Sequence, residues 1–223
     1  MNIDRIGIKG SADNDFVMLD ERFGLYPVWR SLSEPDPVTS YVKIPGMNGA
    51  LDCSEEFGEV FYDTRELDID CVYIRNDWHS DIRGFASKYH GREVLIMFAN
   101  DPGFYWSGRL FVKSYESQDR KLVMTATVYP YRFCRDKTIV SVSDERSRII
   151  TLRNGRMPVV PEITITAPVT IAWDTYSKAV SFNSYPQTFT LAGLRLTEGE
   201  KNVTIVPASG AYTVTFSYRE GDL

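Results

Sequence analysis

Histidine and cysteine are scarce, two and three residues in a chain of 223, and their placement excludes most of the chemistry they could carry. Cys53, Cys71 and Cys134 are odd in number and form no CxxC pair, so neither a disulfide framework nor a zinc site is expected. They read as reduced thiols. His79 and His90 fall on similar azimuths of one predicted helix but about 16 Å apart along its axis, too far to share a metal ion. An excess of one charge is missing as well. The 25 basic and 30 acidic residues leave a formal charge of -5, neither the basic face of a nucleic-acid binder nor an acidic tail, and no sequence-specific hold on DNA is expected. No run approaches the ~18 apolar residues of a membrane helix, and residues 1–10 hold no apolar core of signal-peptide length, so no membrane insertion is expected. A nucleophile elbow, a phosphate-cradling glycine loop and a thiol–base motif are all absent. The reading therefore assigns no catalytic residue, no metal ligand and no cofactor.

What is present points to a folded, mainly β protein. A hydrophobic content of 43% with 13% aromatics is enough to bury a real core, and the length suits one large β domain or two of about 100 residues. The composition shifts along the chain. Residues 1–135 read as mostly strand with one helix, 136–160 as a crossover linker, and 161–223 as strand throughout. The helix spans 78–89: Trp78, Ile82, Phe85, Ala86 and Tyr89 form one stripe at helical spacing, Asn76-Asp77 precede it as caps, and Gly91 stops it. His90 beside that stop reads as a structural residue at the helix C-terminus. Residues 93–98 follow as a buried strand. A hairpin then turns around 117–120, its second arm placing Leu122, Met124, Ala126 and Val128 on one face. The linker carries the charged patch 144–148, a turn at 153–156, and Pro158 and Pro161. Beyond it, six short Thr- and Val-rich strands, separated by Gly, Pro, Asn and Ser, indicate a β-sandwich or jelly roll.

The acidic side chains do not combine into a reactive site. Glu66, Asp68 and Asp70 line one face of a strand, where a cation site or a carboxylate pair is conceivable in principle. Their alternation with Leu67, Ile69 and Cys71 marks them instead as the solvent or interface face. Glu55, Glu56 and Glu59 form a loop cluster without a partner constellation.

The most informative stretch is 41–52, where a short alternating strand runs into Pro45-Gly46 and then Asn48-Gly49. Pro followed by Gly suits a type II turn, and Asn-Gly supplies the positive φ values of a tight reversal. With Tyr62-Asp-Thr-Arg65, the helix–strand unit at 78–98 and Tyr129-Pro-Tyr-Arg132, taken in this order, the segment resembles the distal tail protein of siphophages and related prophages of Gram-positive hosts. The resemblance covers most of the chain. It implies a tail-tube-like first domain whose six copies form a ring around a channel for DNA, and a galectin-like second domain. It also implies a place at the virion tail tip, after assembly in the bacterial cytoplasm. The partners it implies are other copies of the chain, the tail tube protein, the tail-associated tip protein and a receptor-binding protein. Under this reading Ile44, Pro45, Gly46, Met47, Asn48 and Gly49 are the candidate subunit contact.

A second reading rests on the last strands, where residues 194–202 and 208–212 resemble parts of galectin-like or carbohydrate-module-like jelly rolls. Trp173, Tyr176 and Tyr185 would stack on sugar faces if they converged in a groove, making the chain a two-domain carbohydrate-binding protein. Alternation puts Trp173 in phase with Val169 and Ile171, which favours the core for that ring.

Overall fold

A computed structural model describes residues 5–56 and 58–223, and the chain divides into two compact units, Met1–Arg132 and Phe133–Leu223. The first four positions of the segment read above as lacking a signal-like core lie outside the described residues.

The first unit runs β1 (Ile6–Gly10), β2 (Val17–Met18), α1 (Leu19–Phe23), β3 (Leu25–Leu32), β4 (Tyr41–Val42), β5 (Leu51–Asp52), β6 (Arg65–Tyr73), α2 (Trp78–Tyr89), β7 (Glu93–Phe98), β8 (Phe104–Glu116) and β9 (Lys121–Val128). Its main sheet has the order β2-β1-β7-β8-β9-β6-β3, antiparallel at each of these pairings. Alternation decides what the sheet buries. Leu67, Ile69, Cys71 and Tyr73 of β6, and Leu122, Met124, Ala126 and Val128 of β9, are all within 1% of full burial. A side chain of leucine or isoleucine size so buried contributes about 1.5–3 kcal/mol. Ile82, Phe85 and Tyr89 of α2 join the same core, with Phe23 of α1 set edge-on to Phe85 at 5.3 Å.

Three local expectations need correction. Asp77 stands at the N-cap of α2 but makes no side-chain capping bond. Inside the first turn it is Asp81 that finds a partner, accepting from the Tyr73 hydroxyl at 2.9 Å. A second helix, α1, is present in addition to the one expected. Its five residues are too short to show a 3.6-residue period, and it is held at its end by Gly24 at φ 65° and by Arg75 donating to the Arg22 carbonyl at 3.1 Å. In the Asn48-Gly49 turn only the glycine takes positive φ, at 86°.

The loop between β1 and β2 is tied to α2 through Asp13, which accepts from the Gly10 N–H at 2.9 Å, from the Tyr89 hydroxyl at 3.0 Å and from Lys88. Burial pushes the Asp13 carboxyl up, but the bonds from Lys88, Gly10 and Tyr89 outweigh it and hold the group below its ordinary value. Lys88 is raised, chiefly by the hydrogen bond to Asp13. A lowered carboxylate stabilises the fold above its unfolded pKa, and that contribution disappears as pH falls through the folded value. Asp13→Asn should therefore shrink the loss of stability between about pH 7 and about pH 3. Urea unfolding of parent and variant at both pH values tests this, and an unchanged difference would show that other carboxylates carry the acid response.

Cys71 is fully buried, and burial followed by the neighbouring Asp70 charge pushes its thiol far up. Cys53 and Cys134 are half-buried. A thiol reagent is expected to leave Cys71 untouched in the native protein and to modify it only after unfolding. Peptide mapping of the labelled chain reads this directly.

β10 (Arg132–Cys134) spans the division between units. The second unit continues with β11 (Thr138–Asp144), β12 (Arg148–Asn154), β13 (Glu162–Ile165), β14 (Val169–Trp173), β15 (Tyr176–Val180), β16 (Gln187–Thr190), β17 (Gly199–Pro207), β18 (Tyr212–Tyr218) and β19 (Gly221–Asp222). Two antiparallel sheets of four strands, β11-β18-β13-β16 and β12-β17-β14-β15, share one core to which Ile163, Val214 and Phe216 come from the first and Leu152, Ile171 and Val203 from the second. This is a β-sandwich. Residues 136–160, expected as a linker, contain β11 and β12 instead, whose inward Val140, Val142, Ile150 and Leu152 pack on that core. Exposed Ile139 and Ile149 beside the inward Val140 and Ile150, with a charged turn between the strands, blur the alternation of both.

Candidate functional site

The chain between β3 and β6 leaves the main sheet and returns as an irregular two-stranded arm. Its root is pinned by Ser33 N–H to Glu66 O at 3.0 Å, and by Arg65, whose guanidinium donates to Ser33 O at 2.6 Å and lies over the Trp106 ring at 4.9 Å. Further rungs are Asp63 N–H to Asp36 O, Val38 N–H to Phe61 O and Cys53 N–H to Ser40 O, each 2.8 Å. The paired strands β4 and β5 form the outermost rung.

At the tip, Met47 N–H donates to Ile44 O at 3.1 Å and Gly46 has φ 82°. Positive φ at the third position is what a type II turn over Ile44, Pro45, Gly46 and Met47 requires. A Cβ on Gly46 or Gly49 would meet nothing within 4 Å, so their use is conformational, and the tip stands in open space. Large apolar side chains point outward along the arm: Val38, Tyr41, Val42, Ile44, Met47 and Leu51 are each exposed by 44% or more. Scattered exposed apolar residues are ordinary; here six lie together on one projecting element, which makes the arm the candidate contact.

In the second unit the three aromatic candidates separate. Trp173 is 7% exposed and belongs to the core; its indole N–H donates to Gly193 O at 2.9 Å. Tyr176 is 65% exposed and stacks on Trp173, with centroids 6.1 Å apart and planes at 28°. This contact exists because β15 begins at Tyr176, directly after a two-residue turn in which Asp174 adopts φ 48°. Tyr185 belongs to another group. It lies on the crossing from β15 to β16, which belong to different sheets, where its hydroxyl accepts from Phe182 N–H at 2.9 Å and its ring meets Phe182.

Two of the three acidic side chains of the β6 row have cross-strand partners: Glu66 accepts from Thr125 at 3.1 Å, and Asp70 pairs with Lys121 at 2.8 Å. His90 Nδ1 accepts from Val112 N–H at 2.9 Å, and His79 stacks on Trp78 at 3.8 Å. Among the described residues no group of three or more His, Cys, Asp or Glu is placed to hold a metal ion, and no helix is long and apolar enough to cross a membrane.

No family model matches the chain, and no curated protein does. Among solved structures, the Dit (gp 19.1) protein of SPP1, described as a paradigm of the hub adsorption apparatus in Gram-positive infecting phages, has the same fold. It superposes with a TM-score of 0.64 over 96% of this chain and 98% of its own, at 12% identity. The baseplate of phage p2 in its activated conformation with Sr aligns over 96% of this chain and 98% of its own at 8% identity, with a TM-score of 0.36, too low to mark a shared fold. The class defined here is thus architectural: a mainly β chain with the fold of SPP1 Dit.

Proposed function

We propose that this chain is a structural hub of a phage tail tip. Six copies close into a ring that joins the tail tube protein to the tail-associated tip protein, carries the receptor-binding protein and leaves a channel for DNA. The observation that carries the reading is the end-to-end correspondence of fold with a hub protein, 96% of one chain on 98% of the other. The exposed apolar arm supports it, since a closed ring needs a heterologous contact in which one surface of each copy meets a different surface of the next. A formal charge of -5 also suits a channel that passes DNA without gripping it. The chain works by assembly, without turnover of a substrate.

Light scattering over a range of protein concentration, with negative-stain images of the same sample, tests the proposal. The expected species has six times the 25.4 kDa chain mass and an open centre. A single-chain mass throughout, persisting on mixing with the tail tube and tip proteins, would falsify the ring.

A further inference from the structure

We propose that Asn48-Gly49, at the tip of the arm, is a site of spontaneous deamidation, and that this change limits how long an unassembled chain stays fit for the ring. The first half stands without the ring; the second rests on the hub reading. Asparagine is followed by glycine twice in this sequence, at Asn48-Gly49 and at Asn154-Gly155. Such a pair is chemically labile because glycine has no side chain to keep its backbone nitrogen away from the asparagine carboxamide. The fold gives the two pairs opposite surroundings.

At Asn48 the path is open. Residues 41–50 are all exposed, and the backbone bends at 48–49 without a closing hydrogen bond. Among the described residues neither Asn48 nor Gly49 enters a hydrogen bond, and a Cβ on Gly49 would meet nothing within 4 Å. The Asn48 carboxamide and backbone are therefore free to turn until Gly49 N reaches Cγ, the near-attack geometry the reaction needs. Gly49 N bonds to Cγ as the Cγ–Nδ2 bond breaks, and ammonia leaves with the proton from Gly49 N, closing a five-membered imide. Water then opens the imide. Breaking the new N–Cγ bond gives aspartate; breaking the bond from Gly49 N to the Asn48 backbone carbonyl carbon gives isoaspartate, with one extra carbon in the main chain. Nothing is oxidised or reduced, and water is the only co-reactant.

Asn154 is held instead. It is 7% exposed and ends β12 opposite Gly199 of β17, and its Nδ2 donates to Met157 O at 2.8 Å and to Leu196 O at 3.1 Å. Gly155 is packed against the main chain at Gly221, whose carbonyl oxygen would lie 2.9 Å from an added Cβ. The leaving nitrogen is anchored twice, so this carboxamide turns toward Gly155 N only when the strand end opens. At the tip, by contrast, the product places a carboxylate near Ile44 and Met47 in the chain, the side chains offered as the subunit contact, where an unpaired charge is disfavoured on burial. Once a neighbouring copy covers the tip, water is excluded and the backbone is fixed. Conversion is thus a fate of chains that have not assembled.

Peptide mapping of the full chain, held in mildly alkaline buffer and sampled over days, with isoaspartyl methyltransferase to count isoaspartate, tests the chemistry. Asn48 is expected to convert at least about tenfold faster than Asn154 in the native chain. In urea the two rates should come together, because only the shared Asn-Gly sequence remains. Conversion of Asn48 no faster than that of Asn154, or a gap that persists in urea, would overturn the site. Light scattering reads the assembly half. Six-chain rings are expected from fresh parent and from aged Asn48→Gln, whose carboxamide would have to close a six-membered ring and so stays an amide. Single chains are expected from fresh Asn48→Asp and, in proportion to the converted fraction, from aged parent. Rings formed equally by fresh and converted chains would remove the role in assembly and leave the hub intact. No ring from fresh chains, even with the tail tube and tip proteins, would remove the hub and the assembly half together, while the mapping still decides the site.

Discussion

Gly108→Ala is expected to cost more than about 3 kcal/mol and to shift the unfolding transition of the first unit to markedly lower urea. Gly108 sits in β8 opposite Val94 of β7 and Val128 of β9. A Cβ there would lie 2.2 Å from the Thr127 carbonyl oxygen and 2.6 Å from Val128 Cα. Both are backbone atoms, so no rotamer change relieves the overlap, and one strand must move. Neither strand is free to do so, because β9 is paired on its other side with β6, and those two strands supply eight of the most deeply buried side chains of the unit. Against a total stability of 5–15 kcal/mol for an ordinary domain, such a loss is a large fraction of the whole. Gly84→Ala is the matched control. It lies within α2 with nothing within 4 Å of an added Cβ, and should raise stability by about 0.5–1 kcal/mol. Urea unfolding followed by circular dichroism compares the two, and a Gly108→Ala transition within about 1 kcal/mol of the parent would show that β8 and β9 do not approach this closely.

The contrast between these two glycines shows what could be read from the chain alone. Helix α2 was legible because five apolar residues share one stripe, and β6 and β9 because each alternates cleanly over its whole length. The mainly β character followed from such patterns. Nothing in the residues around Gly108 reveals that a neighbouring backbone closes on it, since close approach across a sheet is a property of pairing and twist. The strands β11 and β12 are hidden in the sequence for a related reason: the exposed Ile139 and Ile149 sit beside the inward Val140 and Ile150 and blur the alternation, and only the completed sandwich shows which of them packs. Site legibility divides in the same way. The turn at Ile44–Met47 announces itself through Pro-Gly, a local signal. Alternation assigns Trp173 to the core, whereas the contact of Tyr176 with it depends on β15 beginning there, opposite Trp173.

Ile44→Asp combined with Met47→Asp should convert the proposed six-chain ring to single chains while leaving the unfolding curve unchanged. In an isolated chain both side chains already face water, 44% and 46% exposed, so exchanging them for carboxylates costs within about 0.5 kcal/mol. The turn survives because Gly46, and not the substituted residues, supplies its positive φ. In a packed contact the same change removes about 1.5–3 kcal/mol of apolar burial at each position and buries unpaired carboxylates in addition. Two such changes per copy weaken each contact by about a thousandfold or more, and a ring with identical contacts loses all of them together. Ile139→Asp provides the comparison, because Ile139 is 66% exposed on β11 of the other unit: it adds a charge at an equally apolar exposed position away from the arm. If both variants lower the mass alike, general surface charge governs association. If neither does, the arm is not the contact, and the open edge of β3 becomes the surface to examine. Loss of the ring in the arm variant alone would assign the contact to the tip formed by Pro45 and Gly46, and would give the six exposed apolar side chains of the arm a surface to pack against.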